Sequence, residues 1–104
     1  MTKTPSEQPT LDAIIAHLQQ ELPNLQAHYD VEQLAVFGSY ARHAQRATSD
    51  LDLLVRFRVT PSLLRYVALE QYLADTLGLP VDLVMESALR RDIAQQVHAD
   101  TISI

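Results

Sequence analysis

The chain has 104 residues, 47% of them hydrophobic, with 2 Gly, 5 Pro, no Cys and a formal net charge of −5. That balance is too apolar for a disordered chain and too poor in turn residues for a many-stranded all-β protein, while the missing thiols exclude disulfides, thiolate zinc sites and a cysteine nucleophile. No run approaches the ~20 apolar residues of a membrane span, and the acidic charge disfavours stable binding to a nucleic-acid backbone.

Residues 1–9 read as a disordered tail and residues 10–104 as one α+β domain in the order αα-β-α-β-α-β-α. The tail has neither a basic head nor an apolar segment, so the expected compartment is the cytoplasm. Thr10 is an N-cap candidate, and Leu11, Ile14, Ile15, Leu18 and Leu22 follow at helical spacing. Pro23 is expected to break this helix, with a second short one over residues 25–29. Residues 33–37 are nearly all apolar, as in a strand covered on both faces. They run into Gly38-Ser39, where the Ser39 hydroxyl is expected to cap a short helix through Tyr40, Ala41 and Arg42. After a polar loop over residues 43–49, Asp50 to Phe57 is the clearest strand. Thr60-Pro61 predicts a helix start, with the helix running to Leu77 before the stop at Gly78 and Pro80. Val81 to Met85 is a third strand. Ser87 is expected to cap a last helix to about Val97, leaving apolar residues 101–104 to pack back on the sheet.

The chemistry lies in the acids. In a strand, alternate side chains share a face, so Asp50 and Asp52 project together while Leu51, Leu53 and Val55 face the other way. Two carboxylates so close demand a compensating cation, and hard oxygen donors of this kind suit Mg²⁺, which completes its shell with water and substrate phosphates. Asp82 interrupts the apolar run of Val81, Leu83 and Val84. If its strand neighbours Asp50 to Phe57, all three acids converge, as a two-ion site for in-line displacement requires. Gly38-Ser39, where a strand turns into a helix, offers backbone N–H groups to a phosphate, and Arg42 lies one turn further on. Arg42, Arg46, Arg56, Arg58 and Arg65 fall in one central stretch, which suits a compact anion such as a triphosphate. Of these only Arg42 is a candidate phosphate ligand; Arg46, Arg56 and Arg58 are expected on the surface or against a partner.

The runs LAVFGSYAR, SDLDLLV and LGLPVDLV, with the Leu-Pro-x-Leu turn at residues 22–25 and the Pro61 helix, resemble the minimal nucleotidyltransferases, or MNT-domain proteins, of the DNA polymerase β superfamily. The resemblance spans residues 10–104. It implies a mixed sheet with flanking helices, metal binding and catalysis at Asp50, Asp52 and Asp82, and nucleotide phosphate binding at Gly38 and Ser39. It further implies an antitoxin that transfers AMP from ATP to a tyrosine of a separate HEPN-domain ribonuclease toxin, forming a hetero-oligomer with it. One position departs from the pattern: the family commonly has glycine after the Ala-Arg pair, where this chain has His43, a poor residue for a positive φ.

Two other readings stand beside this one. The first is an inactive antitoxin that masks its toxin by binding; the second is a small-molecule nucleotidyltransferase. His17, His28 and His98 lack metal-ligand spacing and are expected to be structural. Tyr40 either stacks near a base or packs against the sheet. Glu70 falls in the middle of the stripe formed by Leu63, Val67, Ala74 and Leu77, an odd place for a carboxylate; it reaches solvent, an arginine or the site.

Overall fold

The computed structural model describes residues 10–43, 50–89 and 101–104. Helix α1, Leu11–Tyr29, is capped by the Thr10 side chain, which accepts from the Ala13 N–H at 3.2 Å. The expected break at Pro23 does not occur, so the two predicted helices are one. A proline inside a helix costs about 3 kcal/mol. Against that cost, Leu18 and Leu25 on either side of it are both fully buried on the same stripe, and ending the helix would expose one of them. Asp30 closes α1 in the left-handed region at φ 57°, its N–H bonded to the Leu25 carbonyl.

Strand β1, Val31–Phe37, starts two residues earlier than expected and buries Leu34, Ala35 and Val36 in succession, as a strand covered on both faces does. Helix α2 is one turn, Gly38–Ala41, and its cap position is held by Phe37 with no side-chain hydrogen bond, so Ser39 is not the cap. Ser39 lies inside the turn, where its hydroxyl cannot reach ahead to the first free N–H groups. Strand β2 is Leu51–Phe57. Helix α3, Leu63–Leu77, is capped by Ser62 rather than Thr60, since the Ser62 hydroxyl accepts from the Arg65 N–H at 3.3 Å. Gly78 ends it at φ 71°, as expected.

Strand β3 is Val81–Met85. It runs into a 3₁₀ turn, Glu86–Ala88, with Leu89 extended beyond it. Ser87 therefore sits within a turn and caps no helix; the rest of the predicted last helix lies outside the described residues, as do the tail at 1–9, Arg46, Ser49 and His98. Strand β4, Ile102–Ser103, brings the C-terminal residues back onto the sheet, as their apolar character suggested.

The sheet order is β3-β2-β1-β4, with β1 antiparallel to β2 and to β4, and β2 parallel to β3. The β2-α3-β3 unit is the crossover that a parallel pair requires. One sheet face packs on α1 and α3 through Leu11, Ile14, Leu18 and Leu25 against Leu34, Val36, Leu51, Leu53, Val55 and Leu83, with Leu69, Leu73 and Leu77 completing the cluster. Each fully buried aliphatic side chain contributes roughly 1.5–3 kcal/mol. Among the described residues no helix is long and apolar enough to cross a membrane.

Candidate functional site

The register settles which side chains share the other face. Asp52 on β2 pairs with Asp82 on β3 and with Phe37 on β1, so the two aspartates stand side by side on adjacent strands about 4.8 Å apart. Asp50 immediately precedes β2, two residues before Asp52, and both it and Asp82 act electrostatically on the Asp52 carboxylate. Asp50 and Asp82 are exposed and Asp52 is half-buried. Leu51, Leu53 and Val55 turn inward, as alternation demands, which leaves the carboxylates on the face that α1 and α3 do not cover.

Gly38 adjoins this cluster directly. Its φ is +74°, and a Cβ placed there would stand 2.9 Å from Cγ and 3.1 Å from Cβ of Asp52. Glycine is thus required twice, for the backbone conformation and for the approach of the turn to the carboxylate. Ser39 follows at the first turn of α2. Arg42 closes that turn through its N–H to the Gly38 carbonyl at 3.2 Å, and its guanidinium acts favourably on Asp52.

Burial, then the Asp82 and Asp50 carboxylates, push the Asp52 carboxyl above its usual value, and Arg42 only partly offsets them. The site therefore carries uncompensated negative charge in the form of hard oxygen donors, which is the chemistry a divalent cation neutralises. Among the described residues no three acidic, histidine or cysteine side chains close into a ready-made metal cage.

The remaining arginines are not gathered here. Arg56 pairs with Glu86 at 2.8 Å and Glu32 at 3.9 Å, Arg58 donates to the Gln26 carbonyl at 2.6 Å, and Arg65 donates to the His28 carbonyl while lying 5.7 Å over the Tyr29 ring. These contacts belong to the opposite end of β2 and to the α1–α3 contact. Arg56 and Arg58 are exposed, as expected, and of the described arginines Arg42 is the one that acts on the Asp52 carboxylate. Tyr40 is fully buried in the core, so it packs against the sheet and offers no platform for a base. His17 and His28 lie on α1, away from the carboxylates.

His43 has φ 55°, the positive value at which histidine is strained and glycine is not. Glu70 is half-buried and turns toward the strand that carries Asp82. Its Oε2 accepts from the Leu83 N–H at 2.9 Å, and Tyr66, one turn earlier on α3, donates its hydroxyl to the Leu83 carbonyl. Both contacts fall on the residue after Asp82. The stripe in which Glu70 was expected to stand is not the buried face of α3, since Leu63 is 77% and Val67 51% exposed while the buried residues are Leu69, Leu73 and Leu77; Tyr66 carried no signal in the sequence.

A profile of the nucleotidyltransferase domain matches residues 15–104. The chain is 41% identical over 95 residues to protein adenylyltransferase MntA of Thermococcus cleftensis, covering 91% of this chain and 96% of that protein. A solved structure provisionally assigned as a minimal nucleotidyltransferase superposes with a TM-score of 0.79 at 35% identity, over 92% of this chain and 97% of that one. A toxin–antitoxin crystal structure with AMP-PNP gives a TM-score of 0.67 at 27% identity, over 91% of this chain and 72% of that one. The complex of a tri-AMPylated Shewanella oneidensis HEPN toxin with its MNT antitoxin gives 0.57 at 26% identity, over 89% and 66%.

Proposed function

Since the chain belongs to the nucleotidyltransferase domain family, we propose that it transfers AMP from Mg-ATP to a hydroxyl, that of a tyrosine, on a cognate HEPN-domain toxin and thereby neutralises it. The observation that carries this reading is the side-by-side register of Asp52 and Asp82 with Gly38 pressed against Asp52. Similarity to an MntA protein adenylyltransferase and to complexes holding AMP-PNP or an AMPylated toxin supports the nucleotide and the partner.

In this reading Asp50, Asp52 and Asp82 hold Mg²⁺, as two ions, which when bound neutralises the phosphate charge and polarises the α-phosphorus. Gly38 and Ser39 present backbone N–H groups to the phosphates, and Gly38 brings them close to Asp52 because nothing projects from its Cα. Arg42 holds the triphosphate from the other side of the turn. The acceptor oxygen bonds to the α-phosphorus, the bond to the bridging oxygen of the β-phosphate breaks, and pyrophosphate leaves. The hydroxyl proton is taken up at the carboxylates, of which Asp50 and Asp82 are exposed. The toxin brings its own surface, so the small domain needs no acceptor-binding lobe.

The test is the intact mass of the partner after incubation with the chain and Mg-ATP. The expected result is one or more AMP increments that vanish with Asp50→Asn. A second reading, the masking antitoxin, is favoured by the strained His43. A silenced partner in a tight complex with no added mass would establish that reading instead.

A further inference from the structure

Among the described residues strand β3 is at the edge of the sheet, with β2 on one side only. An edge strand carries unpaired N–H and C=O groups along its open side, and those that stay unpaired leave the strand free to shift. Here the residue after Asp82 has both groups taken, the N–H of Leu83 by the Glu70 carboxylate at 2.9 Å and its C=O by the Tyr66 hydroxyl. Tyr66 and Glu70 are four residues apart on α3, the spacing that stacks two side chains on one helix face. They do at Leu83 what one residue of a further strand would do. Between them the Leu83 side chain is 3% exposed in the core, so this point of β3 is held at backbone and side chain alike.

We propose that Glu70 and Tyr66 are positioning residues that fix Asp82 beside Asp52 by clamping the peptide of Leu83 to helix α3. The Leu83 N–H belongs to the peptide bond that follows Asp82, so its direction sets where the Asp82 side chain projects. The clamp gives the half-buried Glu70 carboxylate its partner on the side of α3 that meets β3. Burial, then the Glu70 and Asp82 carboxylates, raise the pKa of the Tyr66 phenol. The adenylyltransfer reading underlies only the kinetic part of the test.

The test compares wild type with Glu70→Ala, Glu70→Gln, Tyr66→Phe and Asp82→Asn in the full chain. Three quantities are read: amide exchange at Leu83 by NMR against that at Leu54 in the neighbouring strand, Mn²⁺ affinity without nucleotide, and kcat and KM for AMP transfer. Glu70→Ala is expected to speed exchange at Leu83 at least tenfold relative to Leu54 and to weaken Mn²⁺ binding several-fold. It should lower kcat on the order of 10- to 100-fold with a much smaller change in KM, as misplacement of a reacting group does. Glu70→Gln, which keeps an accepting oxygen, restores all three, and Tyr66→Phe gives an intermediate loss. In the Asp82→Asn background Glu70→Ala should add little, because the clamp acts through Asp82.

Wild-type Mn²⁺ affinity and kcat in a folded Glu70→Ala variant whose Leu83 exchange has quickened would overturn the proposal and leave Glu70 as a strand-edge cap. Should Glu70→Ala fail to fold, Tyr66→Phe decides, by the same criterion. A wild type that transfers no AMP would refute the adenylyltransfer reading, and the exchange and Mn²⁺ measurements would then decide the clamp alone.

Discussion

The closeness of the Gly38 turn to Asp52 can be measured as a free energy, because the chain contains a built-in control. Gly38 and Gly78 have nearly the same backbone conformation, at φ +74° and +71°, but a Cβ at Gly78 would meet nothing within 4 Å, whereas one at Gly38 would meet Cγ of Asp52 at 2.9 Å. Alanine in the left-handed region costs about 1–2 kcal/mol, offset in part by about 0.4–1 kcal/mol from the restricted unfolded chain. Gly78→Ala should therefore destabilise by roughly 1 kcal/mol, a fall of about 4–8 °C in Tm for a domain of this size. Gly38→Ala carries the same backbone cost plus the displacement of a half-buried carboxylate, a further ~1–3 kcal/mol in line with other overpacked sites. Urea denaturation of both variants gives the two values, and their difference isolates the steric part. Adding Asp52→Ala to Gly38→Ala should recover most of that difference, since contacting residues couple. Equal losses at the two glycines, or no recovery in the double variant, would refute the close approach on which the site's geometry depends.

Three further outcomes follow from the same structure. Asp52 has its pKa raised by burial and by Asp82 and Asp50, so its charge weakens the metal-free fold above its folded pKa, and that penalty disappears as pH falls below the unfolded value of about 3.9. Asp52→Asn should thus raise metal-free Tm at pH 7 while abolishing AMP transfer, with the stability gain shrinking to nothing in acid; a lower Tm at pH 7 would contradict it. The Tyr40 hydroxyl is buried with no hydrogen-bond partner among the described residues, so Tyr40→Phe should stabilise by about 1 kcal/mol in urea titrations, whereas a loss would reveal a partner for that oxygen. His43→Gly should stabilise by about 1 kcal/mol by relieving the left-handed conformation, and where His43 holds the turn out of place it should also raise the rate of AMP transfer.

Much of this protein was legible in one dimension because its signals are local. Alternation placed Asp52 opposite Leu51 and Leu53, the Thr10 cap and the Gly78 stop bounded helices within a residue or two, and a strand running into glycine marked the turn beside the carboxylates. Where local rules failed, another contact outweighed them. Pro23 is tolerated because Leu18 and Leu25 are buried on one continuous stripe, and the cap of α3 falls on Ser62 rather than Thr60 because the Ser62 hydroxyl reaches the Arg65 N–H.

What the sequence by itself determined is the identity of the groups: three aspartates, a glycine with no Cβ and an arginine one turn away, together with the periodicities that send each to a given face of its element. Only the tertiary structure decided their juxtaposition, since the parallel register that sets Asp82 beside Asp52 depends on a crossover through α3, and nothing in residues 51–57 or 81–85 alone specifies which strand lies next to which. The same holds for Glu70 and Tyr66. Their partner is a backbone peptide, which looks identical at every position in the sequence, so the contact becomes visible only when the helix has been laid along the edge of the sheet.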